Sequence, residues 1–221
     1  MKNLLLIFIE VIICYVSLII ITKKYKIDGL YVYGIIATFI SCIMNLKQIE
    51  LININIPLGL GVTTSIIIAG NLLTQISGKD KLKEYLLLIT LTGIVSYILI
   101  YLSTIIKISD LNYYANKSYD NIFSYNLKIS ISLIISLLIS IWLSSNLYYI
   151  IKRLKNKIIF SNILSVIITE LFENIIFVLI SFIFDYTPVD IFICILLRYI
   201  IKTIIAILGT IPIYIANKYN Y

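Results

Sequence analysis

Seven apolar runs, separated by short polar stretches, dominate the chain: residues 4–22, 29–46, 57–77, 84–106, 128–150, 159–183 and 190–215. Each is close to the roughly 20 residues that a helix needs to cross a hydrocarbon core. The pattern predicts an all-α, polytopic transmembrane helical bundle of about seven spans, six of them a core, forming one domain over 1–221. The first run carries Glu10 and ends in Lys23-Lys24-Tyr25-Lys26 instead of a small-residue cleavage site, so it is expected to be a retained helix and not a signal peptide. One stretch breaks the helical pattern. Leu51-Ile52-Asn53-Ile54-Asn55-Ile56 alternates apolar and polar with period two and runs into Pro57, Gly59 and Gly61. It reads as extended chain, either lining a cavity at membrane depth or forming an interfacial turn. The Tyr-, Asn- and Ser-rich stretch at 107–127 reads as the longest loop.

Composition reinforces the membrane reading: 61% of residues are hydrophobic, and the mean hydropathy is +1.03. The net charge of +7 does not point to nucleic acid, because the basic residues cluster in loops beside apolar runs. With seven spans, Lys23, Lys24, Lys26, Lys79, Lys81, Lys83, Lys152, Arg153, Lys155, Lys157 and Lys218 fall on one side. Lys2, Lys47, Lys107, Lys117 and Lys128 fall on the other. The positive-inside rule then puts the N-terminus outside and the C-terminus in the cytoplasm of a multi-pass cell-membrane protein. There are no histidines, which removes His-based acid–base chemistry and His-ligated metals. Cys14, Cys42 and Cys194 are scattered singly, without metal or disulfide spacing. No nucleotide loop or nucleophile elbow occurs. No enzyme, metal site or cofactor is expected.

Polar residues inside the apolar runs carry the chemistry. In the sixth run Asn162, Ser165, Thr169 and Glu173 recur at helical spacing and share an arc of roughly 80°. Glu170 flanks that stripe, and Asn174 lies further round. Lipid cannot satisfy such a stripe, so it must face the bundle interior, as interhelical glue or as a surface for substrate or ion. Two carboxylates at mid-depth exceed what glue requires. In the seventh run Arg198 and Lys202 are four residues apart. Lys202 lies at the depth of the two glutamates and is expected to pair with at least one of them. Arg198 is expected to reach toward the external interface. Asn71 and Gln75 lie on one face of the third run, where amides suit a planar, hydrogen-bonding ligand. Glu10 stands alone and is expected to face a partner helix or the outer interface.

In this order the features resemble the queuosine precursor transporter family. The resemblance runs through Ala69-Gly70-Asn71-Leu72-Leu73 to Gly78-Lys79, through residues 162–177, and on to Tyr199-Ile200-Ile201-Lys202 and Thr210-Ile211-Pro212. Lys47, Asn162, Ser165 and Lys202 keep family-like identities, while Thr169, Glu170 and Glu173 look like exchanges for Ser, Gln and Asp. Other positions depart from the family: Asn71 replaces an Asp, Cys42 and Met44 replace an Asn and a Gln, and Gly209 replaces an Asp. The resemblance implies import of a 7-deazaguanine-type base for tRNA modification. Its site would use Glu170, Glu173, Lys202, Asn162, Ser165, Thr169, Asn71, Gln75 and Lys47 around a small planar heterocycle. Two alternatives stay open. One is a substrate-capture subunit of an energy-coupling-factor-type vitamin importer, and the other is a non-transporting membrane scaffold with a decayed pocket. Partners beyond substrate and lipid would be energy-coupling subunits or further copies of the chain.

Overall fold

The computed structural model describes residues 2–51, 54–106, 113–124, 126–155 and 157–218. Lys107, and Ile52 and Asn53 of the period-two stretch, lie outside the described residues. The order is α1 (Lys2–Met44), β1 (Gln48–Leu51), β2 (Ile54–Pro57), α2 (Leu60–Ser77), α3 (Leu82–Ile105), α4 (Tyr113–Ser124), α5 (Asn126–Lys155), α6 (Ile158–Phe182), α7 (Pro188–Leu208) and α8 (Thr210–Lys218). Among the described residues six helical segments are long and apolar enough to cross a membrane.

The first two apolar runs meet in α1, which is bent at Lys26, where φ is 52°. At about 1.5 Å per residue a straight helix of this length would reach twice the thickness of a hydrocarbon core. Instead the two arms lie side by side: the Tyr33 hydroxyl, in the second arm, donates to the Cys14 carbonyl in the first at 3.3 Å. Gly29 permits the approach, since a Cβ there would sit 2.6 Å from the Ile21 carbonyl oxygen. A positive φ at Lys26 costs about 1–3 kcal/mol, which packing of the two arms offsets.

The period-two stretch forms half of an antiparallel β-hairpin that pairs Gln48 with Pro57, Ile49 with Ile56, Glu50 with Asn55 and Leu51 with Ile54. It is a small exception to an otherwise all-α fold. Gly59 follows with φ 86°, a left-handed turn that admits glycine without strain, and α2 starts at the next residue.

Helix α2 is the centre of the bundle. Every residue from Leu60 to Thr74 is buried, so its polar side chains face protein on all sides. Helix α5 carries a stripe of small, buried residues, Ser132, Ser136, Ser140 and Ser144, of which Ser132 meets Ser181 of α6 and Ser144 meets Asn71 of α2. Small side chains every fourth residue let helix backbones approach closely in a membrane.

Two expectations are corrected. The stretch at 107–127 contains α4, not only loop. Tyr119 and Phe123, four residues apart, pack in a tilted contact with ring centroids 4.4 Å apart, and the Tyr119 and Ser103 hydroxyls lie 2.7 Å apart. Aromatic residues at helical spacing against α3 outweigh the loop-like Asn and Ser content. The last run, 190–215, is divided into α7 and α8 at Gly209. Pro212 has no N–H for the Leu208 carbonyl, and its ring clashes with that carbonyl.

Candidate functional site

Helices α6 and α7 bring four charged side chains together in the interior: Glu170, Glu173, Arg198 and Lys202 are all fully buried. Lys202 Nζ donates to Glu173 Oε2 at 2.6 Å and lies 2.9 Å from Glu170 Oε2. The expected pairing of Lys202 is therefore present with both carboxylates. Helix α2 supplies the next contact, as the Thr64 hydroxyl donates to Glu170 Oε1 at 2.7 Å. Arg198 does not reach outward as expected. Its Nε donates to Asn174 Oδ1 at 3.0 Å, its Nη2 lies 3.6 Å from Glu173 Oε1, and its guanidinium sits 4.2 Å from the centre of the Phe177 ring. The reason is local. Arg198 precedes Lys202 by one turn, so burying one on the α6 side carries the other with it.

The set balances two carboxylates against two cations, as burial demands, because an unpaired charge in this interior would cost several kcal/mol. The balance is electrostatic, but the hydrogen bonding is incomplete. Glu173 Oε1 and Arg198 Nη1 and Nη2 make no hydrogen bond. Glu173 Oε1 and Arg198 Nη2 still face each other as an ion pair at 3.6 Å, while a buried donor left unsatisfied, such as Arg198 Nη1, costs about 1–3 kcal/mol.

A second polar cluster lies along the same helices. Asn71 Nδ2 donates to Asn162 Oδ1 at 2.9 Å and to Ser165 Oγ at 3.2 Å. Ser144 on α5 closes the set by donating to Asn71 Oδ1 at 3.0 Å. Asn162 Nδ2 and the hydroxyl of Ser145 are left without hydrogen bonds. Along α6 Asn162 and Glu173 are eleven residues apart, about 16 Å, so the clusters occupy different depths. Thr169, between them, is buried and donates back to the Ser165 carbonyl at 2.6 Å.

Of the nine residues singled out from the sequence, Glu170, Glu173 and Lys202 meet in the charged cluster. Asn71, Asn162 and Ser165 meet in the amide cluster, with Thr169 between the two. Gln75 stands apart from both and accepts from the Tyr148 hydroxyl at 3.1 Å. Lys47 is exposed at the start of the β-hairpin, away from all of them. Thr64 and Phe177 join these clusters without having been singled out from the sequence; Ser144, which reads in the sequence as part of an interfacial helix end, and Arg198 and Asn174 join them as well. Thr63-Thr64-Ser65 in mid-run was a usable signal for the first of these. Glu10 faces a helix, as expected: its Oε1 accepts from the backbone N–H groups of Gly61 and Val62.

Residues 57–216 match the family described as "Putative vitamin uptake transporter". That stretch contains both polar clusters. No curated protein and no solved structure matches the chain. A buried charged centre in a bundle of apolar helices agrees with transport, and the chain belongs to the vitamin uptake transporter family.

Proposed function

We propose that this protein takes up a small planar heterocycle across the cell membrane, a queuosine precursor of the 7-deazaguanine type, and that the two buried clusters of α2, α6 and α7 hold it in transit. The observation that carries this reading is the incomplete hydrogen bonding of a fully buried, charge-balanced set. Structural ion pairs gain by satisfying every donor and acceptor, whereas Arg198 Nη1 and Asn162 Nδ2 make no hydrogen bond and Arg198 Nη2 meets Glu173 Oε1 only at 3.6 Å. A heterocycle with N–H donors and a ring carbonyl offers complementary groups. In the charged cluster Glu173 would accept from its N–H groups and Arg198 would donate to its oxygen or ring nitrogen; at the other depth Asn162 would donate to the same acceptors.

In this reading the bent α1 crosses twice and the chain crosses seven times. The N-terminus is outside and the basic α2–α3 and α5–α6 connections are cytoplasmic. The excess of Lys and Arg on those connections supports this orientation. The test is uptake of radiolabelled queuine and its biosynthetic precursors by cells that depend on external precursor. Cells making the protein are expected to accumulate label and to restore queuosine in tRNA, and cells making Glu173→Gln are not. Unchanged tRNA queuosine after removal of the gene from its own host would sink the assignment.

A second reading follows from the family description, which names vitamins. The chain would then capture a vitamin for an energy-coupling-factor-type importer. Co-purification with ATPase subunits would favour it, and uptake by the chain alone in vesicles would exclude it.

A further inference from the structure

At the end of the bundle away from the basic connections, a cleft of about 500 Å³ opens between the β-hairpin, α4, the start of α5 and the α6–α7 turn. That size suits a small ligand. Its lining mixes Gln48, Asn121 and Asp185 with the aromatic Phe182 and Tyr186 and the apolar Ile129. Tyr186 is held in place, its hydroxyl donating to the Asn55 carbonyl at 3.1 Å, and it stacks on Phe182 with centroids 4.7 Å apart and planes 13° from parallel.

The aromatic wall continues inward. Phe182 meets Phe177 at 6.3 Å in an edge-to-face contact, and Phe177 carries the Arg198 guanidinium 4.2 Å from its centre. One unbroken line of contacts thus joins the cleft to the buried charges. Phe177 steadies the buried guanidinium by a cation–π contact, whereas the Phe182–Tyr186 stack beyond it does not touch the buried charged residues.

We propose that this cleft is a capture subsite, distinct from the buried centre, that binds a planar, hydrogen-bonding heterocycle before it passes along the Phe182–Phe177 wall to Arg198. The inference rests on the reading of the protein as an uptake system for such a molecule. Amides supply both donors and acceptors for a heterocycle's edge, and the Asp185 carboxylate accepts from its N–H groups. Lys128 lies 3.5 Å from Asp185 in a partly exposed ion pair that a ligand can readily displace. A subsite of this kind sets how readily substrate is collected and leaves the rate of the later step alone.

The experiment is concentration-dependent uptake of radiolabelled queuine into cells making Asp185→Asn, Tyr186→Leu or Glu173→Gln, with the folded amount of each checked by gel filtration. Asp185→Asn is nearly isosteric and preserves the turn. Asp185→Asn and Tyr186→Leu are expected to raise the KM about tenfold with the maximal rate kept, whereas Glu173→Gln lowers the maximal rate. Saturable uptake with an unchanged KM in both cleft variants overturns the subsite and leaves the uptake reading standing. No uptake of queuine by the unaltered chain overturns both.

Discussion

Glu10, in the first arm of α1, accepts a hydrogen bond from the backbone N–H of Gly61 at 3.0 Å and so caps a helix far away in sequence. A second bond, from the N–H of Val62, is 3.1 Å long. The first N–H groups of a helix have no partner within it, and its N-terminus favours negative charge. Gly59, the residue preceding α2, offers no side-chain cap. A carboxylate from α1 does that work instead, and it ties the first arm to the central helix just after the hairpin turn.

Glu10→Ala is therefore expected to destabilise the protein by about 1–2 kcal/mol. Glu10→Gln, which keeps an acceptor but not the charge, is expected to fall between the two. Thermal unfolding of the three proteins in one detergent checks the order, and equal melting temperatures for all three would remove the cap from the account.

Lys202→Met leaves two buried carboxylates with only Arg198 nearby. The expected loss is about 3–5 kcal/mol, enough to lower the yield of folded protein sharply. Combining it with Glu170→Gln leaves the Glu173 carboxylate facing the Arg198 guanidinium at 3.6 Å, and most of the folded yield is expected to return. Uptake is not expected to return with it. Gel filtration and transport assays on the single and double variants separate the structural part of the charged centre from its functional part.

Gly209 allows α7 to approach the central helix. A Cβ at this position would overlap Ile68 Cδ1 and come within 2.8 Å of the Tyr15 hydroxyl. Gly209→Ala is expected to cost about 1–3 kcal/mol through overpacking. Ile68→Val, by removing Cδ1, should recover part of that loss in the double variant, the Tyr15 contact accounting for the remainder. Additive losses would show that the two sites do not touch.

Orientation can be read by labelling. In a chain whose three cysteines are replaced by serine or alanine, a cysteine at Asp120 is expected to react with a membrane-impermeant maleimide in intact cells. One at Asp80 or Lys155 is expected to react only after permeabilisation. The reverse pattern would invert the topology argued from the basic connections.

The apolar runs, the alternation of basic loops and the polar stripe of α6 were legible in the sequence because each follows from a local rule. These rules are the length needed to cross hydrocarbon, the side on which lysine is retained, and the spacing of one helical face. Glu170, Glu173 and Lys202 could be matched by depth alone, since each lies near the middle of its run. The break at Gly209 was harder to see, although Pro212 implied it. The helix at Tyr113–Ser124 was hidden by a composition that favours loops when no neighbour is considered.

The sequence by itself determined that the chain is a bundle of apolar helices carrying charges that lipid cannot accommodate, because hydropathy and charge are properties of single residues in order. Only the tertiary structure decided which partners those charges find. It turned Arg198 inward to Asn174 and Phe177, brought Thr64 to Glu170, set Glu10 on the start of α2, and left Lys47 and Gln75 apart from the buried clusters. Those outcomes depend on how far helices rotate and how closely they approach, which is set by small residues such as the serines of α5 and by Gly209. Charge placed Lys202 opposite two glutamates, and packing decided which of their atoms meet.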